Sequence, residues 1–286
     1  MIYKSLIYSF LLLAVAILGA CTDDLDPGLE QAVIEGWIDS DGYPTVMFTT
    51  TLNPDEKGGS IIDNMIRWGV IKISDGTQEV ILTGSADKNI LPPYRYHTTK
   101  MRGVPGRTYT VTASYKNLHA TAKCKMPAPV PIDTIILETI PGNDTLRSAR
   151  LSLTVPEDVP AYFCISVSEV EEDADNKGNL HRPLPALMGT AQSFTPGEKL
   201  EIALFNAKNY ENRLHFVPQM IVGHRLVVSL HRVVKEVYDY WTAYDNFVMF
   251  GHSIFLKPSS PPEGNIMQGL GIWSAQGTST KNLEIK

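Results

Sequence analysis

The sequence predicts a mainly β protein made of two β-sandwich domains, the first immunoglobulin-like and the second carrying one amphipathic helix. Short runs of β-branched and aromatic residues alternate with turn residues along the chain from residue 31. A proline-rich stretch at 126–131 interrupts these runs. Only residues 234–248 repeat apolar side chains at helical spacing.

The chain opens with an apolar segment that ends at a cysteine. Residues 5–20 follow Lys4 and fall short of the roughly 20 apolar residues that span a bilayer, so residues 1–20 are predicted to be a signal peptide. Leu18-Gly19-Ala20-Cys21 resembles the lipobox of bacterial lipoproteins. The resemblance implies cleavage between Ala20 and Cys21, with palmitate-like chains on the cysteine. A plain cleaved signal and a membrane helix are the alternatives.

An acidic tether is predicted over residues 21–30. It contains Asp23, Asp24 and Asp26, and clustered like charges keep such a segment extended and solvated. The tract also resembles the export tag that Bacteroidetes place after a lipidated cysteine. That resemblance implies display on the outer face of the outer membrane, with a periplasm-facing location as the alternative.

The first domain is predicted over residues 31–127. Turn residues at 39–44 and Asp75-Gly76 separate strand pairs, and Tyr109, Val111 and Ala113 alternate with threonines as in a strand with one buried face. Strands at this spacing without helices between them predict an immunoglobulin-like sandwich. The predicted strands are 33–38, 45–51, 70–74, 79–82 and 108–113.

The second domain is predicted over residues 128–286, because prolines at 127, 129 and 131 suit a stiff spacer. The 234–248 helix is expected to pack on a sandwich. Gly269 and Gly271 inside an apolar strand predict a bulge or a close backbone approach. The predicted strands are 135–137, 149–154, 162–170, 200–205 and 225–233.

Besides Cys21, the chain contains Cys124 and Cys164. Alternation places Cys124 on an inner face with Ala120 and Ala122, and places Cys164 opposite the apolar face of its own strand. Opposed faces in separate domains favour two buried or half-buried thiols over a disulfide.

No catalytic motif, metal site or cofactor is predicted. Asp173–Gly178 begins like a calcium loop, but Lys177 stands at a ligand position and Leu184 replaces the final glutamate. His224 and His231, seven apart in one predicted strand, should face opposite ways. The formal net charge is −6, and this acidic balance argues against binding to nucleic acid, which needs clustered Lys and Arg.

Five features together resemble a known family. They are Gly36-Trp37, Pro105-Gly106-Arg107-Thr108-Tyr109, the stretch 126–133, Tyr240-Trp241 and the stretch 265–273. In this order and spacing they resemble the Bacteroidetes lipoproteins catalogued as domain of unknown function 4249. The resemblance implies a surface binding or gating partner of a TonB-dependent outer-membrane transporter, and no reaction.

The expected function is therefore that of a lipid-anchored outer-membrane accessory protein. Trp68, Tyr94 and Tyr96 are candidate contacts, because aromatic side chains concentrate in binding hot spots. Tyr94–His97 suits either a loop tip or a hydrophobic edge strand. The alternatives are a fimbrillin-like subunit that assembles by strand donation after its N-terminal segment is cleaved, and a surface hydrolase.

Overall fold

A computed structural model describes residues 30–51, 62–87, 92–158, 160–170, 187–190, 195–210, 213–217, 219–250 and 262–286. The described residues form many strands and one helix, which confirms the predicted mainly β fold. None of the described helical residues forms a segment long and apolar enough to cross a membrane.

Each predicted run falls on a strand, although β9 and β10 are about twice as long as predicted. The helix, α1, spans Lys235–Phe250. In chain order the strands are β1 (Ala32–Asp39), β2 (Thr45–Thr50), β3 (Val70–Ser74), β4 (Glu79–Ile81), β5 (Thr83–Ala86), β6 (Tyr94–His97), β7 (Thr108–Tyr115), β8 (Leu118–Lys125), β9 (Thr134–Ile140), β10 (Asn143–Thr154), β11 (Tyr162–Val170), β12 (Leu187–Thr190), β13 (Lys199–Ala203), β14 (Asn206–Tyr210), β15 (Arg213–Val217), β16 (Met220–Ile221), β17 (Arg225–Val233) and β18 (Gly269–Glu284).

One long sheet runs through the molecule and two smaller sheets pack against it. The long sheet has the order β12-β11-β17-β18-β1-β2-β6-β5. The sheet β4-β3-β7-β8 encloses a first buried cluster with it. The sheet β13-β10-β16, with β9 also on β10, encloses a second. Strands β14 and β15 form a separate hairpin.

Strand β18 belongs to both halves of the long sheet. Its residues 269–276 pair in parallel with β1, and residues 277–284 pair antiparallel with β17. Gly271 has a φ of 102°, and a methyl group there would lie 2.0 Å from the carbonyl oxygen of Ile34. The predicted close backbone approach is therefore confirmed, and only glycine suits this position.

Alternation predicted which side chains are buried. Tyr109, Val111 and Ala113 on β7 are fully buried in the first cluster. On β11, Phe163 and Ile165 enter the second cluster, whereas Cys164 points into the first. The predicted opposite orientation of this cysteine is confirmed.

The core residues do not divide cleanly at residue 127. The first cluster also contains Val233, Val237 and Trp273 from the last third of the chain, because β11, β17 and β18 continue the sheet that β1 starts. The boundary between residues 127 and 128 stays a prediction.

Helix α1 packs on the first cluster through Val237 and Tyr240, with Tyr238 and Trp241 partly buried beside them. The predicted helix and its packing on a sheet are confirmed. Tyr240 is more buried than its neighbour Trp241. Its ring stacks on that of Tyr244, with centroids 6.4 Å apart.

Cys124 and Cys164 are both buried free thiols. They lie in the same buried cluster, although their strands were expected to belong to separate domains. Burial raises the pKa of Cys124 to about 11 and that of Cys164 further, which leaves both thiols protonated and unreactive.

Candidate functional site

Trp68 is the most exposed of the large hydrophobic side chains in the part of the chain that the structure describes. Its indole is 86% exposed. It lies two residues before β3, where Val70 faces solvent on the outer side of the sheet. Ile81 on the paired strand β4 shares that face and is 62% exposed. We call these three residues the Trp68 surface.

The backbone around Trp68 is held on both sides. The hydroxyl of Tyr96 donates to the carbonyl oxygen of Ile66 (2.8 Å) and accepts from the amide of Gly69 (2.9 Å). The Tyr94 hydroxyl donates to the carbonyl of Arg67 (3.1 Å). Burial raises the pKa of Tyr96, so this hydroxyl keeps its proton and remains a donor.

Packing fixes the same segment from below. The Ile66 side chain is buried, and its amide donates to the carbonyl of Phe48 (3.0 Å). A methyl group on Gly69 would lie 2.9 Å from the Phe48 ring, so glycine is needed for this approach. Trp68 is thus a large aromatic side chain on a constrained backbone, and such side chains bind partners with little loss of entropy.

Only one of the three predicted aromatic contacts is fully available. Tyr96 is 2% exposed and belongs to the first cluster, so its assignment as a surface contact is wrong. Its hydrogen bonds and its place in a strand facing the core explain the burial. Tyr94 is half-buried, and its ring meets that of Tyr96 edge-on at 5.5 Å. The Tyr94–His97 segment is strand β6, between β2 and β5, and neither a loop tip nor an edge.

The other predicted site residues lie outside the described part of the chain. These are Ala20 and Cys21 at the predicted cleavage and lipidation site, and Asp23, Asp24 and Asp26 of the predicted export tag. The calcium-like stretch 173–178 also lies outside it. Within the described ranges, no group of three or more His, Cys, Asp and Glu side chains could hold a metal ion.

A second cluster, which the sequence did not predict, lies where β18 passes from one sandwich to the other. Asp39 on β1, His231 on β17 and Ser166 on β11 meet there. The Ser166 Oγ lies 3.0 Å from His231 Nε2, and the Asp39 Oδ1 lies 3.4 Å from His231 Nδ1. We call these residues, with Thr278 and Gln276 of β18, the junction cluster.

Hydrogen-bond accounting fixes the proton positions in the junction cluster. The Thr278 hydroxyl donates to Asp39 Oδ1, so the Thr278 oxygen accepts from His231 Nδ1, 2.9 Å away. In the neutral imidazole Nε2 then accepts from Ser166. Burial raises the pKa of Asp39, but contacts with His231, Thr278 and Gln276 outweigh it, and the pKa is lowered overall.

Serine, histidine and aspartate are the residue types of a hydrolytic triad, but this geometry suits a structural tie. The Thr278 hydroxyl stands between imidazole and carboxylate, and Ser166 lies within a paired strand. The adjoining cavity, lined by Trp37, Trp241 and His231 among others, leaves about 20 Å³ for the centre of a water molecule. That volume suits one ordered water and no organic substrate.

Local patterns could not have revealed the junction cluster. Asp39 and His231 are far apart in sequence and meet only because β18 pairs with both of their strands. His224 lies in the turn before β17 rather than in the strand, so the expected relation between the two histidines does not arise. The sequence alone indicates only that Asp39 lies on the same face of β1 as Glu35 and Trp37.

Comparison with families of known sequence decides the relationship. A family model described as Domain of unknown function (DUF4249) matches residues 22–282. The chain belongs to this family. The match includes the whole first buried cluster, nearly all of the second and most of β18, and it confirms the predicted family. Comparison with curated proteins found no match.

In this DUF4249 protein, two of the five features are core elements. Trp273 is fully buried and donates from Nε1 to the carbonyl of Tyr109 (3.0 Å). Gly36 lies against the Trp273 ring, and a methyl group on Gly36 would lie 3.1 Å from that ring. Gly36-Trp37 and the stretch 265–273 are therefore features of the fold. The Trp68 surface contains none of their residues.

Proposed function

We propose that this protein is a lipid-anchored outer-membrane protein that acts as an accessory partner of a TonB-dependent transporter, and that it binds through the Trp68 surface. The observation that supports the proposal is the 86% exposure of Trp68 on a backbone fixed by Tyr94 and Tyr96. Burying a tryptophan of this kind against a partner contributes strongly to affinity.

The chemistry of the surface favours a protein partner over a small ligand. Trp68, Val70 and Ile81 are exposed apolar side chains, and the neighbouring Lys72 and Glu79 pair with each other at 2.9 Å. An apolar centre beside paired charges is the usual anatomy of a protein interface. Lipidation at Cys21 would keep the protein beside its membrane partner and raise the effective concentration of both.

The test is affinity capture of the tagged, lipidated chain from outer membranes, followed by mass spectrometry. A TonB-dependent transporter should be recovered, and Trp68→Ala should lower its recovery about tenfold or more. Val104→Ala is the matched control, because Val104 is an exposed apolar residue of the same sandwich outside the Trp68 surface.

Two outcomes would count against the proposal. Recovery of no transporter with the unaltered chain would sink the partnership itself. Equal recovery with Trp68→Ala would remove the Trp68 surface as the contact. Detergent-resistant ladders of chains cleaved before or within β1 would instead favour the fimbrillin-like alternative.

A further inference from the structure

Basic residues are strongly segregated in this chain. Between Lys88 and Ile132 there are eight Lys and Arg residues and no Asp or Glu, although the whole chain has a net charge of −6. The segment builds β6, β7 and β8. One sandwich therefore carries a cationic region on an otherwise acidic protein.

Several of these cations pair with acids from elsewhere in the fold. Arg107 meets Asp75, Arg102 meets Asp41, and Arg95 meets Asp87. Lys123 and Lys125 are different, since they are exposed and have no acidic partner among the described residues.

The unpaired cations follow the outer edge of one sheet. Strand β8 is the last strand in the order β4-β3-β7-β8. His119, Lys123 and Lys125 alternate on its outer side, and Lys116 is exposed in the turn before it. Across the pairing with β7 they stand beside hydroxyl side chains, with Lys125 opposite Thr108 and Lys123 opposite Thr110. We call Lys116, His119, Lys123 and Lys125 the β8 basic edge.

The tether enters the fold beside this edge. A methyl group on Gly269 would lie 2.6 Å from the carbonyl oxygen of Ala32 and 3.3 Å from Cβ of Ala120, so β1, β18 and β8 meet where the tether ends. Met267 forms two backbone hydrogen bonds with Thr121 of β8 and is 66% exposed.

We propose that the β8 basic edge rests against a phosphate-bearing bilayer surface and so orients the anchored protein on its membrane. The proposal rests on the proposed lipid anchor at Cys21. Residues 21–30 reach at most about 35 Å when fully extended, so the fold stays near the headgroups. Lysines attract anionic headgroups, and the exposed Met267 suits the boundary between headgroups and acyl chains.

The acidic tether is the competing occupant, because Asp23, Asp24 and Asp26 could pair with the same lysines. Two observations favour the bilayer. The three carboxylates lie within five residues of Cys21, so the proposed lipid anchor would hold them near the membrane. The exposed Met267 beside the edge has nothing to gain from an acidic segment.

The experiment attaches the chain from residue 21 to vesicles through the Cys21 thiol and a maleimide lipid. Cys124 and Cys164 are each 4% exposed, so coupling is selective. Lysines are then acylated with a water-soluble reagent and quantified by mass spectrometry. On vesicles with anionic phospholipid, labelling of Lys123 and Lys125 should fall about fivefold relative to neutral vesicles, and labelling of Lys199 and Lys286 should not change. High salt should abolish the protection.

The variants make each outcome decisive. Lys123→Glu with Lys125→Glu should abolish the protection of Lys116 on anionic vesicles, whereas the matched Lys199→Glu with Lys286→Glu should keep it. Equal labelling on both vesicle types overturns the proposal. Protection that persists without vesicles and disappears when Asp23, Asp24 and Asp26 become Asn also overturns it, and identifies the tether as the occupant.

The anchor is tested separately. Mass spectrometry of the native N-terminal peptide shows whether Cys21 is acylated, and an unacylated peptide sinks the proposed function. The vesicle assay uses a chemically attached chain, so its failure counts against the orientation alone.

Discussion

The segments around Trp68 and Trp273 are both held by hydrogen bonds from other side chains, yet one tryptophan is 86% exposed and the other is fully buried. At Trp273, the side chain of Asn265 accepts from the backbone amide (2.9 Å) and donates to the carbonyl (2.8 Å). At Trp68, the hydroxyls of Tyr94 and Tyr96 hold the neighbouring backbone.

The difference separates stability from function. The burial of Trp273 removes a large apolar surface from water, and this stabilisation offsets the cost of holding the side chain in place. Trp68 is constrained as well, but the fold gains little from its exposed indole. A side chain that is held in place but adds little to the free energy of unfolding is a good candidate for a contact with a binding partner.

The largest change in the free energy of unfolding is expected for Trp273→Ala. We expect it to lower the free energy of unfolding by about 3–5 kcal/mol, because it leaves a large cavity and an unpaired Tyr109 carbonyl. Trp68→Ala is the control and should change it by less than about 0.5 kcal/mol. Denaturant titration measures both. Similar losses in the two variants would mean that Trp68 packs in the fold after all.

Tyr96→Phe tests whether the Tyr96 hydroxyl holds the backbone around Trp68. It removes the hydroxyl that serves both Ile66 and Gly69, and we expect a loss of about 1–3 kcal/mol because two backbone groups lose their partner. Amide exchange at Gly69 should accelerate. Tyr94→Phe is the matched control with a smaller effect, since the bond it removes is exposed. Unchanged exchange at Gly69 would show that the hydroxyl does not hold the Trp68 segment.

Asp245 on α1 tests how the burial of a carboxylate lowers the free energy of unfolding. Its expected effect is the smallest of the three. Burial raises its pKa to about 6, above the unfolded value of about 3.9. The folded state therefore binds the proton more tightly, and the free energy of unfolding rises as the pH falls from about 6 to about 4. Asp245→Asn should be more stable than the unaltered chain by about 1 kcal/mol at pH 7.5, after allowing for the partial exposure of this residue.

Thermal or denaturant unfolding at pH 7.5 and pH 4 checks this. The advantage of Asp245→Asn should vanish at pH 4, where the carboxyl is protonated. Asp239→Asn on the exposed side of α1 is the control, since Asp239 pairs with Lys235 in solvent, and it should lower stability slightly or leave it unchanged. An equal gain at both pH values would show that desolvation of the charge is not the cause.

Much of the fold could be predicted because strand faces follow from alternation within a few residues. The buried faces of β7, β8 and β11, and the position of α1, came from such local patterns. The partners of each strand could not be predicted, since pairing depends on the whole set of strands. The two registers of β18, the burial of Tyr96 and the meeting of Asp39 with His231 are all products of pairing.

The candidate site was predicted less well than the fold. Trp68 was one of three aromatic candidates, and exposure alone separated it from Tyr94 and Tyr96. Alternation does not distinguish a strand residue that faces solvent from one that faces a neighbouring segment. The β8 basic edge has a local sequence signal, the absence of acids from Lys88 to Ile132, but its nearness to the tether required the structure.

The two registers of β18 also have a consequence for the order of folding. The first sandwich cannot bury Ile34 and Trp273 until residues 269–276 have joined β1, so a chain that emerges from its N-terminus cannot finish this sandwich early. Contacts this distant in sequence slow folding. A nascent chain would thus leave both sandwiches open until β18 forms, and closure of β18 would complete both at nearly the same time.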